Sequence, residues 1–190
     1  MVTAHTITYS SVVTRMLVEC YISVPNTPAG SDGAKLKALW DTGATVTCIS
    51  TTLVTKLSLP IVDRIDITVA DNKKVGADVH CVQIRMDDFV VPCVNVAALD
   101  MTGSGYDAII GMDFMINGDT HISHYGGRTV LTFRQPSLET CDFVAEGQEF
   151  EKCRKTHEIN IKKRLPDKCA CGSGRDYKNC HGKSIYNKQD

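Results

Sequence analysis

The chain has 190 residues, which is enough for one ordinary domain and a small appendage but not for two full-sized domains. Hydrophobic residues make up 43% and charged residues 23%, a composition that is typical of globular proteins and argues against a fibrous or disordered chain. The net charge of −1 conceals an asymmetry, because residues 1–150 hold 10 basic and 17 acidic side chains whereas residues 151–190 hold 11 and 5. Either an anionic partner or a solvated basic surface accounts for such a tail.

The cysteines and the N-terminus indicate the cellular compartment in which the protein is expected. No stretch approaches the ~18 uninterrupted apolar residues of a membrane span, and the N-terminus lacks the basic start and apolar core of a signal peptide. The cysteine count of nine is odd, and Cys20, Cys81 and Cys93 each stand alone in an apolar stretch. This pattern predicts reduced core thiols instead of a disulfide framework. We therefore expect a cytoplasmic protein without a membrane anchor.

From residue 16 to about 134 the sequence pattern predicts mainly β-structure. Strand-like runs at 16–24 and 35–40 are separated by the turn-rich segment PNTPAGSDG, and a further strand is expected at 44–50. The segment TTLVTKLSLP has leucines four residues apart and predicts a short helix that Pro60 ends.

The second half of this region continues in the same way. Clean alternation in IDITVA and the returning run VGADVHCVQIRM predict a long hairpin over 65–86. A strand is expected at 89–99, an apolar strand leading into a short helix at 106–116, and a final hairpin at 120–133. Residues 135–165 carry many charges without a clear period, which indicates a linker or an irregular helix. We predict three parts: a β-domain at 1–135, a linker at 136–165 and a compact cysteine-rich unit at 166–184.

Asp41 is the residue that most needs an explanation. It follows the apolar run LKALW and precedes Thr42 and Gly43, which are suited to a turn, so its carboxyl arrives at the edge of an apolar layer. A partly buried carboxylate needs a partner, and the segment offers no neighbouring lysine or arginine. A second carboxylate that shares one proton with it is one solution, and such a pair can activate a water molecule. A buried structural aspartate at a strand–turn junction is the alternative.

The stretch ALWDTGATVTCIS, followed about seventy residues later by YDAIIGMDFM, resembles the retropepsin-like aspartic proteases, the single-lobed relatives of pepsin. The resemblance covers roughly residues 16–134 and implies an all-β acid-protease barrel with one or two short helices, followed here by a small zinc-binding module. It implies that Asp41 is catalytic and that Thr42, Gly43 and Ala44 form the active-site loop, with Thr42 joining the two active-site loops. The implied second motif consists of Ile109, Ile110, Gly111 and Asp113.

The resemblance also implies a flap, a hairpin tip that closes over the substrate. Its residues are Ala70, Asp71, Asn72, Lys73, Lys74, Val75, Gly76 and Ala77. Gly76 is expected to be a flexible point, although this hairpin has fewer glycines than those of viral members.

The Asp-Thr-Gly triplet occurs once, and the chain is too short for a two-lobed protease. The resemblance therefore implies a homodimer in which each chain contributes one Asp41 to a site on the two-fold axis. The implied activity is that of an aspartic endopeptidase, which needs no cofactor for catalysis and acts on a peptide or protein substrate.

The segment CACGSGRDYKNCH supplies three thiols and one imidazole, the ligand types of a closed zinc site. Its spacing departs from the usual C-x(2–4)-C pattern, but it closely resembles the SEC-C motif at the C-terminus of the preprotein translocase motor. This resemblance implies that Cys169, Cys171, Cys180 and His181 bind structural zinc. It also implies docking to a protein or, in some settings, to the ribosome, because four protein ligands leave no place for an activated water.

Two other functions remain open at this point. The fold could serve as a non-catalytic dimerisation or peptide-binding adaptor that its zinc tail recruits, or the zinc tail could itself be the primary functional part. Other polar residues are weaker candidates: His80, His121 and His124 lack ligand spacing, and Cys48 lacks a histidine that would activate it.

Overall fold

The β-strands of this chain enclose one main core, whose residues come from nearly every predicted strand. The structure, a computed structural model, describes residues 2–28, 33–68, 72–164, 168–169, 171, 173–181 and 183. The chain divides into two compact units, residues 1–139 and residues 140–190. Each unit is described by itself below.

The first unit contains ten strands and two short α-helices among its described residues. They are β1 Thr3–Thr8, β2 Leu17–Ser23, β3 Ala34–Trp40, β4 Cys48–Ser50, α1 Thr51–Leu57, β5 Asp63–Thr68, β6 Lys74–Met86, β7 Phe89–Leu99, β8 Ala108–Ile110, α2 Met112–Met115, β9 Asp119–Ser123 and β10 Val130–Gln135.

Six of these strands close into a barrel. The hydrogen-bonded order is β2-β3-β8-β4-β7-β6, and the antiparallel pairing of β2 with β6 completes the ring. Strand β5 extends the sheet outside β6. Two pairs are parallel, β3 with β8 and β4 with β7, whereas the other pairs in the ring are antiparallel. The predicted all-β barrel with short helices is therefore confirmed.

The core follows from the alternation of side chains along the strands. In β3, Leu36, Ala38 and Trp40 are buried whereas Lys35 and Lys37 are exposed, as expected for a strand with one face toward the core. Aromatic residues fill the centre in edge-to-face and tilted contacts, with ring centroids 5.3–6.5 Å apart. They are Trp40, Phe89, Phe114 and Phe133.

A second sheet, in the order β1-β10-β9, lies outside the barrel. Strand β1 was not predicted, because its sequence is TAHTIT and, of its half-buried residues Thr3, His5 and Ile7, only the last is strongly hydrophobic. Strand β1 pairs with β10 from Thr3 opposite Gln135 to Thr8 opposite Val130, and this pairing stabilises a strand that the local sequence does not predict.

Helix α1 begins and ends through local hydrogen bonds. The Ser50 side chain accepts a hydrogen bond from the Leu53 amide, which is a typical N-cap. Ser58 adopts a left-handed conformation and ends the helix two residues before Pro60. The predicted short helix at 51–60 is thus confirmed, with its last turn earlier than expected.

The second unit contains helix α3, Phe143–Arg164. This is a regular 22-residue helix where the sequence indicated a linker or an irregular helix. All of its described side chains from Phe143 to Cys153 are exposed, including Phe150 at 68%. The part of the helix whose side chains are described thus has no buried face, which agrees with the lack of a hydrophobic period in its sequence. No helix in the described part of the chain combines the length and apolar character required to cross a bilayer.

The cysteines of the first unit do not all follow the prediction. Cys20 and Cys48 are buried free thiols, and burial raises their pKa values to about 12 and about 11. Cys81 on β6 and Cys93 on β7 instead form a disulfide, with their Cα atoms 5.9 Å apart. The prediction of reduced core thiols is therefore wrong for this pair.

Candidate functional site

Asp41 lies at the end of strand β3, where the barrel opens to the surface. Its backbone amide donates a hydrogen bond to the carbonyl oxygen of Ile110 at 3.0 Å, because β3 and β8 are parallel and pair Trp40 with Ile110. Its carboxylate oxygen Oδ1 accepts a hydrogen bond from the Gly43 amide at 2.9 Å. Asp41 is half-buried, and it takes part in no ion pair formed by the described residues.

The loop after Asp41 contacts the second predicted motif through backbone hydrogen bonds. The Met112 amide donates to the Ala44 carbonyl oxygen at 2.8 Å, and the Asp113 amide donates to that of Thr45 at 3.3 Å. Two motifs far apart in the sequence thus form one continuous structure at the end of the barrel. Within this structure Thr42 and Gly43 are exposed, so the loop presents the Asp41 region outward.

A side-chain network joins the same two segments more deeply. The Thr47 amide donates to both carboxylate oxygens of Asp113 at 2.9 Å, and the Thr47 hydroxyl donates to Oδ1 at 2.6 Å. The same hydroxyl accepts a hydrogen bond from the Gly111 amide at 3.1 Å. Asp113 also accepts from the Phe114 amide at 2.8 Å, at the start of α2. The Asp113 carboxylate is therefore satisfied by neutral donors that belong to the site itself.

Gly111 allows the two segments to approach closely. A Cβ atom at this position would lie 2.7 Å from the carbonyl carbon of Val46, 2.8 Å from its oxygen and 2.9 Å from the Thr47 amide nitrogen. Real Cβ atoms do not come this near to backbone atoms. The glycine in the second motif is thus required by close approach and not by an unusual backbone conformation, since its φ is −97°.

The predicted flap residues lie in and around the β5–β6 hairpin. Lys74, Val75, Gly76 and Ala77 form the start of β6, so the structure places them in a strand and not at a tip. Asn72 and Lys73 lie in the turn, and Asn72 has a left-handed φ of 63°. Ala70 and Asp71 lie outside the described residues. Gly76 pairs with Asp66 in the ladder.

A small apolar cluster connects the base of this hairpin to the site. Its buried members come from β5, β6, β4 and β7, and the partly buried Val46 and Ile109 pack against them. Val46 is in the loop after Asp41, and Ile109 is in the second motif. The buried members are Cys48, Ile67, Ala77 and Ala97. The hairpin is thus packed on the same structure that holds Asp41.

The second unit gathers the four predicted zinc ligands. One donor atom from each of them lies within 4.8 Å of the others. The Cys169 sulfur is 3.1 Å from His181 Nδ1, and the Cys180 sulfur is 3.6 Å from that of Cys171. Tetrahedral zinc with bonds of ~2.3 Å to sulfur sets sulfur atoms about 3.8 Å apart, so this donor set fits the metal.

Local contacts shape this cluster. The Cys169 amide donates to the Arg175 carbonyl oxygen at 2.9 Å, and Lys168 forms an ion pair with Asp176 at 2.9 Å. Hydrogen bonds from the backbone of Cys171 and of His181 lower the pKa of the Cys169 thiol to about 7. Because a thiolate is the form that binds metal, this environment favours the ligand state of Cys169.

Sequence reasoning missed Thr47. It lies in the run ATVTCIS, which indicated a strand, and nothing in its spacing marked it. One signal was available. Thr47 directly precedes the buried strand that begins at Cys48, and a buried hydroxyl needs a hydrogen-bond partner.

Comparison with known families supports both resemblances. Residues 27–114 match the family described as "Aspartyl protease", and residues 166–183 match the SEC-C motif. No curated protein gives a significant sequence match to the chain. The recognised resemblance to aspartyl proteases and to the SEC-C motif is thus confirmed over these residues.

Solved structures give two further similarities. The chain resembles a retropepsin-like aspartic protease from Rickettsia conorii, with a TM-score of 0.46 and 12% identity over 71% of this chain and 96% of that one. It also resembles the retroviral protease-like domain of Ddi1 from Leishmania major, with a TM-score of 0.44 and 17% identity over 70% of this chain and 100% of that domain.

Proposed function

We propose that this chain, which has an aspartyl protease segment at 27–114 and a SEC-C motif at 166–183, is a homodimeric aspartic endopeptidase. The observation that carries the proposal is the placement of Asp41. This half-buried residue follows a barrel strand, its backbone amide donates to the Ile110 carbonyl oxygen, and its carboxylate accepts from the Gly43 amide, in a loop whose next residues are exposed. The second motif that the family requires is in contact with this loop.

The chemistry needs two carboxylates. In the proposed dimer the Asp41 side chains of the two copies share one proton, since two carboxylates a few ångströms apart do not both ionise. The ionised member removes a proton from a water molecule, and the water oxygen attacks the carbonyl carbon of the substrate. The protonated member donates to the carbonyl oxygen. Collapse of the tetrahedral intermediate transfers a proton to the amide nitrogen and breaks the C–N bond, so that one peptide and one water give two peptides.

Several residues are proposed to support this reaction. Thr42, Gly43 and Ala44 form the loop that follows Asp41, and Thr42 is proposed to contact the second copy, for which its exposed side chain is available. The substrate lies extended beneath the flap, residues 70–77, and adds hydrogen bonds to strand edges. The partly buried Val46 and Ile109, which pack on the apolar cluster, are proposed to contact an apolar substrate side chain.

The C-terminal unit is proposed to bind zinc and to dock a partner. Cys169, Cys171, Cys180 and His181 would hold one zinc ion, whose role is to stabilise the module, because four protein donors complete its coordination. We propose functional divisions at 1–135, 136–165 and 166–184 and a cytoplasmic location. The basic residues of the tail are suited to an acidic protein surface or to ribosomal RNA phosphates.

The variant Asp41→Asn tests the enzyme proposal, because asparagine keeps the size of the side chain but not the ionisation. We expect cleavage of a broad peptide library, assayed by mass spectrometry at acid and neutral pH, to fall by about 10²–10⁴-fold. Asp88→Asn, at an exposed position in the turn after β6, is the matched control and should cleave as the wild type does.

The alternative function is a non-catalytic peptide-binding adaptor. Wild-type protein that is dimeric and cleaves nothing in this library would contradict the endopeptidase and favour the adaptor. Equal cleavage by wild type and Asp41→Asn would exclude Asp41 as the catalytic residue.

A further inference from the structure

Thr47 is a buried residue whose polar atoms all take part in hydrogen bonds. Its solvent-exposed fraction is 0%. Its amide and hydroxyl donate to Asp113, its hydroxyl accepts from Gly111, and its carbonyl oxygen accepts from the Ala97 amide at 3.0 Å. One side chain and its backbone therefore connect three segments: the loop that begins at Asp41, the second motif and strand β7.

These contacts matter for Asp41 because of where they lie in the loop. At one end, Asp41 is held by the carbonyl oxygen of Ile110, and at the other end Thr47 is held by Asp113 and Gly111. The exposed Thr42 and Gly43 lie between these two anchors. The direction in which the Asp41 carboxylate points therefore depends on both ends of the loop staying fixed.

The Thr47 hydroxyl contacts the second motif at two points. It donates to Asp113 at 2.6 Å and accepts from the Gly111 amide at 3.1 Å, so it bridges the two residues on either side of Met112. The backbone of Val46 and Thr47 packs closely against Gly111, so the two segments are in direct contact where this hydroxyl bonds to the Gly111 amide. Removal of the hydroxyl leaves a buried amide without its acceptor, and the cost is relieved when the loop shifts.

We propose that Thr47 is a positioning residue for the peptidase reaction, holding the loop of Asp41 on the second motif so that the carboxylates of two copies meet at one water. This inference rests on the proposed function. A bond that served stability alone would lower the folded fraction and leave the turnover of the folded enzyme unchanged. A positioning bond affects kcat, because the reacting groups lose their alignment while most substrate contacts remain.

The chain offers a matched control in Thr129. It is also fully buried at 0%, and its hydroxyl also accepts from a backbone amide, that of Val13 at 3.0 Å. It bonds to His124 and lies outside both segments of the site. Thr47→Val and Thr129→Val therefore remove the same group from equally buried places.

The experiment measures kcat and KM of the full-length dimer on the best peptide substrate, with each value corrected for the folded fraction. We expect Thr47→Val to lower kcat by between about 10- and 100-fold with KM within about twofold. Thr47→Ser, which keeps the hydroxyl, should restore most of the activity. Thr129→Val should show a similar fall in Tm and a kcat equal to that of the wild type. Amide hydrogen exchange should be faster over residues 42–46 in Thr47→Val than in Thr129→Val.

The outcomes separate this inference from the proposed function. If wild-type protein cleaves peptides and Thr47→Val keeps the kcat of Thr129→Val, the positioning role is overturned and the peptidase stands. A serine variant as inactive as the valine variant would also overturn it. If the wild type cleaves nothing, the proposed function fails and this inference fails with it, whatever the exchange rates show.

Discussion

Asp41 and Ile110 are joined by a backbone hydrogen bond of 3.0 Å, although they belong to motifs that are far apart in the sequence. This bond continues the parallel pairing of β3 with β8 beyond the last strand residue. The candidate site is therefore an extension of the barrel and not a separate loop structure. Its attachment to two barrel strands suits the proposed reaction, because that reaction depends on the meeting of two carboxylates.

The first prediction concerns the shared site. When wild-type chains are mixed and equilibrated with an equal amount of Asp41→Asn chains, about one quarter of all dimers should be active, because random pairing gives that fraction two native carboxylates. Cleavage per total wild-type chain should then fall to about half, as a simple consequence of the same pairing. Peptide cleavage and the dimer fraction from analytical ultracentrifugation provide the two measurements. Activity proportional to wild-type chains at every mixing ratio would indicate that one chain is sufficient.

Gly111→Ala tests the close approach of the two motifs. The added methyl group meets the Val46 carbonyl and the Thr47 amide at 2.7–2.9 Å, so the segments must separate. We expect a loss of about 1–3 kcal/mol in the free energy of unfolding, as for other overpacked sites. Urea denaturation provides the measurement. Gly76→Ala is the control, because its nearest neighbour would be the Asp66 carboxylate at an ordinary 3.7 Å, and its change should stay within about 0.5 kcal/mol.

Loss of metal is the third prediction. The wild-type protein should contain about one zinc ion per chain by elemental analysis, and Cys169→Ser with Cys171→Ser should remove it. The exposed pair Cys141 and Cys153 offers a control, since both lie outside the ligand cluster and their replacement by serine should leave the zinc in place. Unchanged zinc in the first double variant would refute the assignment of the ligands.

Asp119 predicts a dependence of stability on pH. Hydrogen bonds from Ser137, from the Leu138 amide and from Arg134 hold the pKa of this carboxyl well below its usual value of 3.8. A lowered folded-state pKa adds stability that is fully present above the unfolded value and is lost as the pH falls toward the folded value. Wild type should therefore have a higher Tm than Asp119→Asn at pH 7, and the difference should shrink below about pH 4. A difference that stays constant down to about pH 2 would contradict the role of ionised Asp119.

The sequence predicted the parts of the candidate site that lie on strands with a regular apolar pattern. The alternation in β3 predicted its buried face, and the apolar run before Gly111 predicted strand β8. The two strands that hold Asp41 were therefore recognisable from the sequence. Thr47 was not, because its role depends on contact with a segment that is distant in sequence. The role of Thr42 at a contact between two copies stays a prediction.

Two other features depend on long-range contacts in the same way, and a third was missed because its described side chains make no buried face. Strand β1 is ordered by its pairing with β10, and the local sequence of β1 does not predict this pairing. Cys81 and Cys93 come together where the β6–β7 ladder shifts register between Val82 and Ile84, and a bulge of this kind is not visible in the sequence. Helix α3 lacks the apolar stripe from which a buried helix is normally predicted, because its described side chains are exposed.

Strand β6 changes partners along its length. From Val79 to Met86 it pairs with β7, and with β2 on its other side at Gln83–Arg85, whereas Lys74–Val79 pairs with β5. The β5–β6 hairpin is thus attached to the barrel through the β7 and β2 pairings of β6. Toward the turn, the last buried residue of β6 is Ala77, at 5% exposure. The exposed residues Lys74–Gly76 lie beyond this last buried position, so substitutions there should leave the strands that carry Asp41 in place.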